Sequence, residues 1–387
     1  MNKGKYVFAQ LAAFLPQRVF DVIVEKYSGN KYVKHFTCWN QLLAMIFGQL
    51  TSRESLRDLV VALDAHSQKS YHLGFGKSVT RSNLAKANEF RDYRIFEDYA
   101  YYLIETARKK LANDDFEVKG NVYAFDSTTI DLCLSVFWWA KFRKAKGGIK
   151  IHTLYDITTQ IPAFIHITDA SVHDVNAMDN IPYESGAYYI FDRAYVDYER
   201  LFKITQLDSF FVIRCKTNMK FNCQKFNPVD ETIGIMSDQI GVLIGPQARN
   251  QYPIKLRKIV FYDTEMNRTF EFLTNNMELP SEQIALLYKS RWKIELFFKW
   301  LKQHLKIKSF WGTTENAVRI QIYTAIITYC LVAIAGKDLH LNRPTYEILQ
   351  VFGISLLDKT AIKELFSKVH LSENETQNSK QLSINLF

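Results

Sequence analysis

Apolar residues recur at helical spacing through the first hundred or so positions and then switch to alternation, and that change of period divides the chain. The helical period predicts helices over 6–15, 16–27, 40–51, 55–64, 81–89 and 93–108. Thr51-Ser52-Arg53-Glu54 supplies polar cap candidates for the fourth of these. The fifth follows a turn at Gly74, Gly76 and Ser78. It carries small residues on one side and Arg81, Ser82, Asn83 and Lys86 on the other, a composition suited to lying in a DNA major groove. Past the polar turn at 113–115, Val122, Ala124 and Asp126 alternate with Tyr123 and Phe125, which predicts a strand over 122–127 with Asp126 at its end. Strands over 150–156 and 162–168 form a hairpin about the turn 157–160. A helix over 174–180, a strand over 187–191 ending at Asp192, a helix over 197–207 and a strand over 210–215 complete the series. The apolar stretch 134–139 is helix or packed loop, and Gly147-Gly148 is expected to bend the chain.

Further on, Gly234, Gly241 and Gly245 precede strands over 254–262 and 269–273, so 216–280 reads as a β-rich insertion interrupting the sheet domain. The run 287–306 contains neither Pro nor Gly and is expected to be one long helix. Ile294, Phe297, Phe298, Leu301 and Leu305 form its buried stripe. Tyr288, Arg291, Glu295, Lys299, Lys302 and Lys306 form a neighbouring face with a lone carboxylate among cations. A buried helix follows over 316–336, then amphipathic helices over 346–352 and 359–369 and a polar tail over 372–383.

Composition sharpens this picture in three places. With 387 residues, 48% hydrophobic and 14% aromatic, the chain can bury a sizeable core in two or three domains. Its net charge of +9 favours a polyanionic partner, and the charge clusters: 141–150 holds five cations and no acid, and 288–308 holds seven cations and one acid, Glu295. Five widely spaced cysteines without a close CxxC pair fit a reduced, intracellular chain with no structural zinc site. Charge returns at Arg18 with no small-residue cleavage site before it, so no signal peptide is expected, and the apolar 320–335 is too short and too polar for a membrane span. A cytoplasmic, nucleoid-associated location is the expectation.

The order strand-strand-strand-helix-strand-helix-strand is that of a ribonuclease H-like mixed sheet, so the expected fold is an α/β catalytic core with a β-rich insertion, preceded by an all-helical domain. The expected boundaries are 1–112 helical and DNA-binding, 113–215 first part of the core, 216–280 insertion, 281–352 second part of the core, and 353–387 terminal helix and tail. In such a sheet the first and fourth strands are neighbours, which brings Asp126 and Asp192 together. With Glu295 they form three oxygen donors able to hold two divalent cations for in-line attack on a phosphodiester, and oxygen donors select Mg²⁺ or Mn²⁺ over zinc. Asp131, Asp156, Asp169 and Asp174 are also candidates on pattern, though Asp169 and Asp174 read more simply as caps or first-turn acids. His152 and His166 fit satisfied core-edge histidines.

The spacing Tyr288-x2-Arg291-x3-Glu295-x6-Lys302 resembles the Y-R-E-K signature of IS4-type DDE transposases of bacterial insertion sequences. Phe191-Asp192-Arg193-Ala194-Tyr195 resembles the segment around their second aspartate, with Ala194 where glycine is usual, and 122–128 resembles the strand carrying the first. The N-terminal region, including 41–49 and 82–91, is similar to a helical domain of one branch of that family. The resemblance spans about residues 5 to 350. It implies that Asp126, Asp192 and Glu295 are the catalytic, metal-binding triad, using two Mg²⁺ ions for which Mn²⁺ substitutes. It further implies that Tyr288, Arg291 and Lys302 contact transposon-end DNA. Lys299, Lys306, Arg81, Lys86, Lys144 and Lys146 join them as DNA-contact candidates from the charge pattern. The implied partners are terminal inverted repeats, target DNA and a second copy of the chain in the DNA complex, with no nucleotide cofactor and no membrane. The implied reaction is cleavage followed by strand transfer of the 3′-hydroxyl. A catalytically inactive end-binding protein and a ribonuclease H-like nuclease without strand transfer remain the alternatives.

Overall fold

The computed structural model describes residues 4–75, 79–112, 118–133, 135–137, 139–143, 146–304 and 310–367, with backbone alone at 141–143, 146 and 304. In chain order the elements open with α1 (Val7–Ala12), α2 (Gln17–Lys26), α3 (Cys38–Leu50), α4 (Leu56–Ala65), α5 (Ser70–Leu73), α6 (Arg81–Phe90) and α7 (Arg94–Leu111). Next come β1 (Val122–Leu132), β2 (Lys141–Arg143), β3 (Lys146–Asp156), β4 (Ile161–Asp169), β5 (Tyr188–Phe191), α8 (Tyr198–Gln206) and β6 (Phe210–Arg214). β7 (Phe221–Phe226), β8 (Ile235–Leu243), α9 (Pro246–Gln251), β9 (Leu256–Asp263) and β10 (Arg268–Thr274) follow. The chain then runs through α10 (Ser281–Lys289), α11 (Trp292–His304), α12 (Glu315–Asp338), α13 (Thr345–Ser355) and α14 (Ile362–Ser367). Two compact units result, one of residues 1–103 with 303–387 and one of 104–302.

The helical unit is held by α12, whose residues from Ala317 to Gly336 are buried almost throughout and lie against α1, α3, α6 and α13. α12 is long and apolar enough to cross a membrane, but 94% of its most apolar window is buried inside the unit, so core packing accounts for its composition. Two of its buried polar groups are used internally: Gln321 accepts from the Trp311 N–H at 2.8 Å, and the Thr328 hydroxyl donates to the Thr324 carbonyl at 2.8 Å. Side-chain caps fix the helix starts, with Thr37, Ser55, Thr80 and Thr314 each accepting from an N–H three residues on. The cap of α4 is therefore Ser55, one position past the expected 51–54 segment. Residues 303–352 differ from the expected boundary, since they belong to the helical unit. An all-round apolar helix such as α12 is satisfied only by being surrounded, and the helices of this unit surround it.

The second unit is organised by one sheet of ten strands in the order β2-β3-β1-β5-β6-β10-β9-β8-β7, with β4 also paired to β3. β1, β3 and β4 are antiparallel neighbours, while β5 runs parallel to β1 and β6 parallel to β5. The β-rich segment expected as an insertion continues this sheet, because β10 pairs antiparallel to β6 and β9, β8 and β7 follow edge to edge. Unused strand edges favour such continuation over a separate body. Gly147 and Gly148 do not bend the chain either; both lie within β3 and pair with Leu132 and Asp131. Aromatic residues of alternate positions, Tyr123 and Phe125 of β1, Tyr189 and Phe191 of β5 and Phe211 of β6, form one buried face under Leu201 and Ile204 of α8. At about 1.5–3 kcal/mol for each fully buried large side chain, this layer fixes the register of β1 against β5. Gly120 sharpens that register. Its φ is +116°, and a Cβ there would collide with the Gly186 carbonyl oxygen, so no side chain fits where the two strands begin.

Candidate active site

β1 and β5 pair in parallel as far as Phe125 opposite Phe191. The next residues are Asp126 and Asp192, which therefore stand at matching positions on strands about 4.8 Å apart. Asp192 leaves the sheet with φ −76° and ψ 163° ahead of a 3₁₀ turn at Arg193–Tyr195, yet its side chain caps nothing. Among the described residues no donor is bonded to the Asp192 carboxylate.

Glu295 arrives from α11, and here the structure departs from the expected continuous helix. α10 ends at Lys289 and α11 begins at Trp292. Between them the Arg291 N–H donates to Tyr288 at i−3, and the Ser290 hydroxyl takes the Leu287 carbonyl at 2.6 Å, which competes with the regular ladder. Tyr288, on the last turn of α10, faces inward with Ile284, Ala285 and Leu287. Its ring is buried against Phe272, 4.5 Å between centroids, and the Arg291 guanidinium lies 6.0 Å from its centroid. Beyond the break Ile294, Phe297, Phe298 and Leu301 are buried as the stripe predicts, and Leu305 lies outside the described residues. The result is one guanidinium shared by two carboxylates: Arg291 donates to Asp126 Oδ2 at 2.9 Å and to Glu295 Oε1. Three acids separated in sequence by 66 and 103 positions thus meet where β1, β5 and α11 converge.

Burial is the main cause that pushes the Asp126 carboxyl up to about 6, with Asp192 and Glu295 adding to the rise; the Ser127 N–H and the Arg291 charge oppose it. The donors are carboxylate oxygens, the set preferred by hard divalent ions. A cation at that point would relieve the raised carboxyl. Among the described residues no three His, Cys, Asp or Glu side chains are drawn together tightly enough to enclose an ion. The positive charge between Asp126 and Glu295 is the Arg291 guanidinium, so the residues fit a divalent ion once Arg291 withdraws from one of them.

The other acids sort themselves by their partners. Asp156 is buried, accepts from the Thr158 and Thr159 N–H groups at 3.0 Å each and pairs with Arg108 at 3.0 Å, a structural role. Asp169 accepts from the Ser171 N–H at 3.0 Å and Asp131 is exposed. His152 is fully buried, and burial lowers its pKa to about 4, so it is a neutral core histidine beside Phe125. Asp174, set aside in sequence as a first-turn acid, instead accepts from the Ser127 hydroxyl and faces Lys150. The signal that could have found it is the pair Lys150 and His152 at i, i+2 on the strand opposite Ser127.

Of the basic candidates, Lys302 donates to the Thr129 carbonyl at 3.0 Å, which ties α11 to β1, and Lys299 is exposed with no ion pair among the described residues. Lys144 and Lys306 lie outside the described residues, as does the Lys146 side chain. In the helical unit Arg81 and Lys86 occupy different sides of α6. Lys86 lines a hollow of about 590 Å³ with Lys31, Lys34, His35, Asn83 and Phe90, whereas Arg81 lines a second, of about 380 Å³, with Arg57 and Ser55. Lys31, Lys34 and Lys86 are exposed and form no ion pair among the described residues. A strand of phosphates would satisfy that face of α6.

A family profile described as "Transposase DDE domain" matches residues 118–331, and one described as "Domain of unknown function (DUF4372)" matches 3–76. "Putative transposase y4zB" of Sinorhizobium fredii is 37% identical over 270 residues, 69% of this chain and 74% of that protein. "Probable transposase for insertion sequence element IS5377" of Geobacillus stearothermophilus is 31% identical over 209 residues, 54% of each chain. "Putative transposase for insertion sequence element IS4SA" of Synechocystis is 28% identical over 270 residues, 66% of this chain and 72% of that protein.

Proposed function

Because the chain belongs to the family of transposases with a DDE domain, we propose that it is an IS4-type member that binds the terminal inverted repeats of an insertion sequence, cuts the DNA there and joins the freed 3′-hydroxyl to target DNA. The observation that carries this reading is Arg291 shared between Asp126 and Glu295, with Asp192 next to Asp126 where the β1–β5 pairing ends. The strand order and directions β4-β3-β1-β5-β6 support a ribonuclease H-like core. Asp126, Asp192 and Glu295 would hold two divalent cations, Mg²⁺ or Mn²⁺, which when bound neutralise the scissile phosphate and activate the attacking oxygen.

The chain's own residues do the rest. Arg291, seated between carboxylates in the free protein, has a second acceptor in the phosphate of the bound DNA. Its fork geometry suits phosphate as well as carboxylate. Tyr288 acts through Arg291, since its ring is buried and supports the guanidinium from one side. Lys302 holds α11 against β1 and adds positive charge beside the cut. In the helical unit Lys86, with Lys31 and Lys34, tracks the backbone of the repeat, while Arg81 serves the opposite side of α6. A homodimer on paired ends completes the proposal.

The test is a two-substrate assay with Mg²⁺, labelled terminal-repeat DNA and a supercoiled target. Joined products that need a free 3′-hydroxyl are expected. Nicks without joining would leave a nuclease, and binding without nicks an end-binding protein.

A further inference from the structure

Asp174 opens the 3₁₀ turn Asp174–Asn180, but its carboxylate is spent elsewhere. The Ser127 hydroxyl donates to Asp174 Oδ1 at 2.6 Å, and Lys150 Nζ lies 3.2 Å from the same oxygen while donating to the Val172 carbonyl at 2.7 Å. Ser127 directly follows Asp126, and its own N–H donates to Asp126 Oδ1 at 2.8 Å. One serine is therefore held at two points: its amide fixes a carboxylate of the triad, and its hydroxyl is fixed by Asp174. Successive side chains of a strand point to opposite faces, so Asp174 restrains β1 from the face opposite Arg291.

The restraint falls where it is needed. Pairing of β1 with β5 ends at Phe125 opposite Phe191, so on that edge nothing in the ladder holds the backbone of Asp126 and Ser127. The Tyr195 hydroxyl is buried there beside Ser127, in a space whose nearby charges are Asp126, Asp174 and Asp192. On the other edge the ladder with β3 holds the backbone of both, opposite Thr153 and His152, and the Ser127–Asp174 contact adds a side-chain restraint beside the carboxylate. Lys150, only 13% exposed at its side chain, keeps Asp174 from adding uncompensated negative charge to the triad.

We propose that Asp174 is a positioning residue, acting through Ser127 to hold the Asp126 carboxylate in the orientation that binds a divalent cation, with Lys150 as its counter-charge. This rests on the reading of Asp126 as a triad member. Partners of this kind, one bond removed from a ligand, change metal affinity by about 10- to 100-fold when removed.

The test measures Mn²⁺ binding by calorimetry on the full chain without DNA, for the wild type and for Ser127→Ala, Asp174→Ala, Asp174→Asn and the Ser127→Ala/Asp174→Ala double variant, with thermal unfolding alongside. Ser127→Ala and Asp174→Ala are each expected to weaken Mn²⁺ binding by about 10- to 100-fold. The double variant should be no weaker than the weaker single, because both cut one chain of contacts. Repeat-DNA affinity should stay within about twofold, which a general loss of structure would not allow. Should Asp174→Ala fail to fold, Ser127→Ala, which leaves the Asp174–Lys150 pair in place, carries the test. Unchanged Mn²⁺ binding in Ser127→Ala, or fully additive losses, overturns the positioning role while the transposase reading stands. Wild-type protein whose Mn²⁺ binding is insensitive to Asp126→Asn overturns both.

Discussion

Replacing Asp126 by Asn should make the metal-free protein more stable while removing its activity, and the size of the effect follows from the site. The carboxyl is moved from 3.8 to about 6, chiefly by burial. Its raised pKa means that the stability it contributes is fully present below pH 3.8 and is lost as pH rises through about 6. At pH 8 the ionised group therefore opposes folding by up to about 3 kcal/mol. The side chain is 23% exposed and retains some water, so about 1–2 kcal/mol is the expected gain for Asp126→Asn. For a unit of this size that corresponds to a rise of roughly 2–8 °C in its melting transition. The assay is thermal and urea unfolding of wild type and variant in EDTA at pH 8 and at pH 4. The gain should be present at pH 8 and nearly gone at pH 4. Mg²⁺ should reverse the order, since at about 100 times its dissociation constant it adds about 2.7 kcal/mol to the wild type and little to the variant. A variant less stable than wild type in EDTA at pH 8, or a gain of equal size at both pH values, would refute the argument that burial and like charges strain this carboxylate.

Other parts of the molecule are equally open to test. Asp238→Ala leaves Arg257 without the carboxylate that it meets at 2.6 and 2.9 Å in a buried pair, so urea denaturation should show a loss of about 3–5 kcal/mol from the sheet extension. Gly48→Ala brings a methyl to 2.5 Å from the Trp311 ring and 3.1 Å from Leu59, which should cost the helical unit about 1–3 kcal/mol and lower its melting temperature. Replacing Lys31, Lys34 and Lys86 together by Gln should reduce the slope of log affinity against log salt for repeat DNA by up to about 2.7, whereas Arg81→Gln should change it by at most about 0.9. An unchanged slope in the triple variant would place the repeat elsewhere. Lys302→Ala should reduce DNA affinity and also loosen α11 from β1, visible as faster amide exchange at Thr129 and its neighbours.

What the sequence disclosed and what it hid have separate physical causes. Asp126 and Asp192 were legible because each follows an apolar strand segment, and strand order places those segments side by side; β1 itself does not end at Asp126 as expected but runs on to Leu132, and only its pairing with β5 stops at Phe125. Glu295 was legible as the one acid on a cationic face. The break at Ser290 and Arg291 was not, because it involves no Pro or Gly and arises from a serine hydroxyl taking a backbone carbonyl. Tyr288, which a continuous helix places beside Glu295, lies before the break and is buried with the packed face of α10. In the extension β9 and β10 were read as strands, β7 and β8 only as part of a β-rich segment, and none as part of the same sheet, since pairing partners of an edge strand leave no mark in its own composition. Asp174 was missed for a related reason. First-turn acids are common, and only coordinates show that this one faces Ser127 and Lys150 instead of the N–H groups of its own turn.

The central claim is that the three acids gather divalent cations at a place now held by Arg291. Anomalous diffraction from crystals of the full chain soaked in Mn²⁺ tests it most directly. Manganese peaks contacted by the Asp126, Asp192 and Glu295 carboxylates, with the Arg291 guanidinium withdrawn from at least one of them, are the predicted result. Crystals at saturating Mn²⁺ in which Arg291 still bridges Asp126 and Glu295, and any manganese lies away from all three acids, would contradict it.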